Sequence, residues 1–466
     1  MTRVALLISH LSAAALLAAC AAAPESKPPE SRLPAAYPGA VAATHGTRLA
    51  SDWWTLFNDP ALNGLVDAAL VHNADLRMAV ARVDAAAAAL GVVRSAGWPS
   101  LDLGAAATRS RVSTLNGQPT PAGGAESSTH RVALSSSFEI DLWGRLSNAN
   151  AQAQAELLAA QHGRDTVRLM LAGTTAQLYF GLRAMDAQSA VVDAQLRARQ
   201  EGLQIVERRL AGGVASTLEQ AQARAALAAT SAAQPELRRQ RALLAHQLGE
   251  VTGQAGLSIG VVATALPAPV AVPAGLPSAL LVQRPDVQQA EASLRAAQAQ
   301  VAVARAAMFP TLSLTGSFGG QSADLADLFK GGARIWSIGP SLLLPLFDGG
   351  RTVARTEQAR AQAEQVAIGY QKVVQTAFRE VADALAGVEE GARQEREVEL
   401  QQLAAGDALR IAQRRYEVGY SGYLEVLDAE RVVQDAALAG VRARQLRLEA
   451  SVALMKALGG GWTAPR

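Results

Sequence analysis

The chain of 466 residues holds a single cysteine, Cys20, so no internal disulfide can form. Aromatic residues are only 4% of it, too few for a thick aromatic core. Neither sign of charge dominates: 43 Lys and Arg against 41 Asp and Glu leave a formal +2. That balance, with no Lys/Arg cluster interleaved with aromatics, argues against a dedicated nucleic-acid binder. The apolar stretch VALLISHLSAAALLAA (4–19) is too short and too weakly flanked for a stable helical span. Catalytic constellations are also missing. His10, His45, His72, His130, His162 and His246 are scattered without metal-ligand spacing. No phosphate-binding glycine loop or G-x-S-x-G elbow is present. The expectation is a chain that is not an enzyme, with no catalytic residue, no metal site and no cofactor beyond a covalent lipid.

What is present is alanine, helix-forming sequence and a duplication. Half the residues are hydrophobic, and much of that half is Ala, which suits long, closely packed helices. Proline is absent from 145 to 210 and from 351 to 416. Each run of roughly 65 residues makes a helix of about 100 Å at 1.5 Å per residue. Helices of that length need partners along their whole length, so coiled-coil-like packing is expected. Ala and Gln dominate their faces (ANAQAQAELLAAQ, RTEQARAQAEQ), which permits close approach and leaves a polar face for water.

Three landmarks recur in order. RSAGWPSLDL around Pro99 returns as RAAMFPTLSL around Pro310, Gly144-Arg145 returns as Gly350-Arg351, and RRLAGGVASTLE returns as RRYEVGYSGYLE. The shifts are 310 − 99 = 211, then 350 − 144 = 206 and 419 − 213 = 206. A spacing held over some two hundred residues reads as a duplicated structural unit, too long for a solenoid repeat. Repeat 1 is placed at 59–260 and repeat 2 at 284–466, joined by a Pro-rich connector at 261–283.

The N-terminus reads as a processed segment. Residues 1–19 form a signal peptide, and Leu17-Ala18-Ala19-Cys20 resembles a lipobox, which makes Cys20 the lipidation site. Residue 21 is Ala rather than the Asp that commonly retains lipoproteins at the inner membrane, so the anchor is expected at the outer membrane. Residues 20–58 are placed as a lipidated tether, Pro- and Ser-rich after the cysteine.

Beyond Pro99 the period changes from 3.6 to 2. Leu101, Leu103, Ala105 and Ala107 alternate with polar or small residues, as do Val132, Leu134, Phe138 and Ile140 further on. Leu312, Leu314 and Phe318, then Trp336, Ile338 and Leu342, repeat the design. Strands are expected at about 99–109, 131–142, 310–319 and 334–346, with long helices at about 145–211 and 351–416. Pro99, Gly144, Pro310 and Gly350 mark the helix–strand junctions. Strands of about ten residues with one apolar face have the length and pattern of transmembrane β-strands, although soluble hairpins share the alternation. Four strands cannot close a barrel, and unpaired edges are untenable in hydrocarbon. If the strands lie in a membrane, several protomers must build one barrel.

Taken together, the lipobox, DWWTLFNDPALNGLVDAAL, GLPSALLVQRPDVQQAEASL, AAMFPTLSLTGSFG and RRYEVGYSGYLEVLDAERVV resemble the TolC-like outer-membrane efflux factors, in the lipoprotein branch typified by OprM and NodT. One departure is Val282-Gln283, where the branch usually has charged residues. The resemblance implies a mainly α fold with a membrane β-barrel. It implies a homotrimer in which each protomer gives four strands to a twelve-stranded barrel and long helices to a periplasmic α-barrel. It implies a passive exit duct for small molecules, docked to a periplasmic adaptor and an inner-membrane pump, most often of the proton-driven RND type. A protein-secretion duct and a non-transporting structural lipoprotein are the alternatives.

By the same resemblance, the periplasmic gate falls on Glu425 and Asp428 in YLEVLDAE, with Tyr416 as a tip latch. The i, i+3 spacing places both carboxylates on one helix face, and rings of carboxylates favour cations. Where some relatives carry a latching Arg, this chain has Ser421. The alternative is an ordinary solvated helix face with Glu430 and Arg431 nearby. Gly213 and Gly419 supply the restricted backbone of the two tip turns, and Ser216 or Thr217 the cap of the first returning helix. Arg208-Arg209 and Arg414-Arg415 precede the turns, either paired with neighbouring carboxylates, in contact with the adaptor, or set against the helix dipole.

Overall fold

The computed structural model describes residue 34 and residues 51–113, 115, 125–262, 265–270 and 283–461. The expected signal peptide, Cys20, most of the tether and most of the connector lie outside the described residues.

The elements follow in the order α1 (Pro60–His72), α2 (Ala74–Ser95), β1 (Ser100–Arg111), β2 (Glu126–Ile140), α3 (Arg145–Ala211) and α4 (Thr217–Val251). Repeat 2 gives α5 (Pro285–Ala306), β3 (Thr311–Ser322), β4 (Arg334–Leu343), α6 (Arg351–Glu417) and α7 (Tyr423–Ala457). The duplication is metrical. Helices α3 and α6 each have 67 residues, and α4 and α7 each have 35.

Local chemistry sets the boundaries. Asp59 caps α1 by accepting from the Ala61 and Leu62 amides, with Pro60 at the first turn. The apolar spacing of Leu62, Leu65, Val66, Ala69 and Leu70, continued through Ala85–Leu90, would run one helix to Gly97, but the helix breaks at Asn73. The Asn73 backbone is extended, its Oδ1 accepts from the Asp75 and Leu76 amides, and its Nδ2 donates to the Val251 carbonyl. A residue that caps the next helix cannot continue the last one. Pro235 lies inside α4, which continues through it at the loss of one hydrogen bond.

The tether boundary at 58 moves. Trp53, Trp54 and Phe57 form a buried turn packed with Leu62, Val66, Tyr179, Phe180, Leu448 and Met455. Trp53 is 1% exposed, and five aromatics (Trp53, Trp54, Phe57, Tyr179 and Phe180) meet in this one cluster. Leu266, placed by sequence in a surface connector, is also buried there.

Strands β1 to β4 form one antiparallel sheet in the order β1-β2-β3-β4. Strand β2 starts five residues before its expected position, and β4 stops at Leu343, ahead of Pro345, which cannot donate to a ladder. Strand β2 of repeat 1 pairs with β3 of repeat 2, with Phe138 opposite Leu314 and Ile140 opposite Leu312. One row across the sheet reads Leu103, Leu134, Phe318 and Trp336. The alternation therefore resolves into an exposed apolar face and an opposite face of Ser135, Ser317, Ser337 and Thr315, where Ser317 and Ser337 hydroxyls lie 2.8 Å apart.

The described residues divide into two compact units, and each draws on both repeats. One holds Arg82–Ala160 and Ala290–Tyr370 with the whole sheet, and the other holds the remaining helical segments, including both tips. The sequence repeats are not the compact units because the β2–β3 ladder joins one repeat to the other.

The junctions repeat a device. Gly144 takes φ +72° while the Asp141 carboxylate caps the Leu146 and Ser147 amides. Gly350 takes φ +83° while Asp348 caps the Gly350 and Thr352 amides. Pro99 and Pro310 stand just before β1 and β3, and the Pro310 carbonyl accepts from the Trp143 indole at 2.7 Å. Among the described residues, no helix is long and apolar enough to cross a membrane.

Candidate functional site: the helix tips

The two tip turns share a backbone and differ in their side chains. Gly213 (φ +73°) and Gly419 (φ +82°) close left-handed helix ends, with Val214 N–H donating to the Arg209 carbonyl and Tyr420 N–H to that of Arg415. This is the Schellman pattern, and it needs a residue without a Cβ at the turn. In the first tip, Ser216 caps α4, and its own amide donates to the Glu219 carboxylate. The equivalent positions of the second tip, 216 + 206 = 422 and 219 + 206 = 425, are Gly422 and Glu425. Gly422 makes no side-chain cap. Glu425 is thereby released from the role that holds Glu219.

Glu425 and Asp428 are both exposed. The Glu425 carboxylate lies 3.5 Å from the Arg415 guanidinium, and Asp428 pairs with Arg431 at 2.9 Å. Exposed pairs of this kind contribute about 0–1 kcal/mol, so neither fixes its carboxylate strongly. The opposite face of α7 is buried: Tyr423, Val426 and Leu427 pack with Val206, Ala412 and Tyr416.

Tyr416 is buried, and its ring lies 5.3 Å from that of Tyr423. The Arg209 guanidinium sits 4.6 Å from the Tyr416 ring centroid and donates to the Tyr416 carbonyl. Arg209 belongs to the first tip and Tyr416 to the second, so this stack ties the two copies together. Arg208 turns instead to the Gln204 carbonyl, and Arg414 to Glu417.

A contact absent from the sequence reading lies beneath. Arg199 of α3 and Glu430 of α7 approach to 3.1 Å with side chains only 6% and 8% exposed. Glu430 is therefore no part of a solvated face. Burial holds its carboxyl above the ordinary range against the pull of Arg199. The signal was available: Tyr423, Val426 and Glu430 follow i, i+3, i+7, one helix stripe. The equivalent positions in the other copy, 199 + 206 = 405 and 430 − 206 = 224, are Ala405 and Arg224, so the pair exists once.

The buried phenols have a measurable consequence. Burial, then Glu430, pushes Tyr423 up to about 12, and burial, then the hydrogen bond to Asp59, does the same to Tyr179. The native phenols keep protons that an unfolded chain loses near pH 10. Their contribution to stability is complete below pH 10 and is lost as pH rises to about 12. Tyrosinate absorbance of the folded protein should show these two ionising only near pH 12, against near pH 10 in urea. Both titrating near pH 10 while folded would refute their burial.

The family model described as "Outer membrane efflux protein" matches residues 65–254 and 276–460, one block per repeat. The chain belongs to the outer membrane efflux protein family. The probable efflux pump outer membrane protein TtgC of Pseudomonas putida is 33% identical over 98% of this chain and 96% of its own. The outer-membrane channel OprN superposes with a TM-score of 0.88 at 31% identity, covering 95% of this chain and 100% of that one. The CmeC outer membrane channel of Campylobacter jejuni gives 0.87 at 26%, covering 96% of each. The efflux protein described here thus has the TolC-like channel fold and resides at the outer membrane, as its sequence anticipated.

Proposed function

We infer that this protein is the outer-membrane exit duct of a tripartite efflux system, passing small molecules outward. The observation that carries the reading is the sheet. Its apolar face is exposed and its polar face is opposite, and each hairpin runs through a capped glycine junction into a 67-residue helix. Such a sheet cannot stand alone in hydrocarbon, because β1 and β4 have free edges. Three copies closing a twelve-stranded barrel satisfy both edges of each. Cys20 carries the acyl anchor in this reading, a periplasmic adaptor engages the helix tips, and a proton-driven pump of the RND type supplies the work.

Glu425, Asp428 and Tyr416 form the resting gate. Their positions support the roles: two weakly held carboxylates exposed on one helix face, and a buried tyrosine stacked against the other copy. Opening breaks the exposed pairs with Arg415 and Arg431, while the buried Arg199–Glu430 contact keeps α7 moving with α3.

Purified protein in a planar bilayer should give discrete, voltage-tolerant conductance steps and cross-link as a trimer. A protein that inserts but passes no current would sink the duct reading in favour of a structural lipoprotein.

A further inference from the structure

The sheet's apolar face does not run unbroken to the end remote from the helices. The connection between β3 and β4 folds back over it. Leu328 is buried there, and its carbonyl lies so close to Gly320 that a Cβ would meet it at 2.4 Å. Only glycine admits the connection at that approach. Below the fold-back lies a cleft of about 370 Å³. One wall is Leu103, Leu134 and Phe318 of the apolar face, and the rim is Phe329, Lys330 and Arg334.

The rim has unusual chemistry for an apolar cleft. Phe329 is 88% exposed, and Lys330 and Arg334 are exposed beside it. The Lys330 ammonium contacts Asp327 of its own turn, an exposed pair weak enough to yield to a stronger anion. Among the described residues, no carboxylate lies within 4 Å of Arg334. On β1, at the far edge of the sheet, the same face carries Arg109 and Arg111, both paired with Glu126 of β2. On β1 and β4, then, this face is apolar near the junctions and carries Arg109, Arg111 and Arg334 at the loop end. Hydrocarbon matches the first zone and phosphate the second.

We propose that this cleft is a lipid site: one acyl chain lies against Leu103, Leu134 and Phe318 while a lipid phosphate sits on Lys330 and Arg334. The ligand class is a phosphorylated, acylated lipid of the outer leaflet. The inference rests on the outer-membrane placement of the sheet. A guanidinium offers paired donors to phosphate oxygens and the ammonium adds a point charge. Phe329 enters the same leaflet beside the chain. Bound lipid braces the connection against the strands, at the mouth the substrate leaves by.

The test uses the full chain in non-ionic detergent, incubated with lipid A, with dephosphorylated lipid A or with phosphatidylcholine. Lipid retained through gel filtration is measured by mass spectrometry. Lipid A should be retained and the other two should not. Lys330→Ala/Arg334→Ala should lower lipid A retention roughly 30-fold, as expected for two surface cations. Lys330→Arg/Arg334→Lys should keep it, and Phe318→Ser should weaken it through the chain. Single-channel conductance of the double Ala variant should be unchanged, which shows that the variant folds and inserts. Equal retention of lipid A and phosphatidylcholine, or lipid A retention insensitive to the double variant, overturns the proposal and leaves the duct standing. A wild-type protein that passes no current overturns the duct itself.

Discussion

Glu425→Ala/Asp428→Ala raises single-channel conductance several-fold in planar bilayers and lowers the preference for cations. The side chains removed are exposed on α7, one touching Arg415 and the other Arg431. In the proposed trimer each substitution would remove three carboxylates near the axis, so both the steric plug and the negative ring would shrink together. The control is the other copy: Glu219→Ala takes a carboxylate from the equivalent position, but there it belongs to the capping box of α4. That variant should weaken the helix start by about 1 kcal/mol and leave conductance near the wild-type level. Unchanged conductance in the double variant would remove Glu425 and Asp428 from the gate. Equal gains from both copies would show that the two tips are not functionally distinct.

Arg199→Ala has the largest expected effect on stability. It leaves the Glu430 carboxylate buried without its countercharge, at a cost of about 3–5 kcal/mol. Replacing both partners with apolar residues, Arg199→Met/Glu430→Leu, should cost far less, because no charge is then stranded. The effect is local, so amide hydrogen exchange around 199 and 430 is the measurement. Exchange should accelerate strongly in Arg199→Ala and only mildly in the double variant. If both variants exchange alike, the pair is ordinary packing and does not bind α7 to α3. The geometry sharpens the expectation: although 3.1 Å apart, the paired atoms make no aligned hydrogen bond, so the contact is mainly one of charge.

These two predictions divide the tip into layers. The outer layer is Arg415–Glu425 and Arg431–Asp428, exposed and weak. The inner layer is Arg199–Glu430 with the Arg209–Tyr416–Tyr423 stack, shielded from water and costly to break on one side only. A gate that must open without unfolding needs this order. The yielding contacts face water and the binding ones do not.

Much of this was legible in the sequence. Period-2 alternation from Leu101 and again from Leu312 marked both hairpins, and proline-free runs marked both long helices. Gly213 and Gly419 announced the tips because a left-handed turn admits few other residues. The break at Asn73 was missed because an Asn in an apolar-periodic stretch reads as a polar face until its hydrogen bonds are seen. Trp53, Trp54 and Phe57 carry no helical or strand signal in the sequence, because a short 3-10 turn leaves no period to detect. Arg199 and Glu430 lie 231 residues apart, and no local pattern joins a cation on one helix to a carboxylate on another.

By itself the sequence determined the inventory: four amphipathic strands, two long helical pairs and two glycine tips in a duplicated order. Those features are written locally, in side-chain period and in residues that fix φ. The tertiary structure alone decided how the copies combine. The β2–β3 ladder merges two repeats into one sheet, and the stripe of α7 that carries Glu430 turns inward while Glu425 and Asp428 stay outside. Long-range pairing depends on what each face finds opposite it, and that information exists only once the chain has folded.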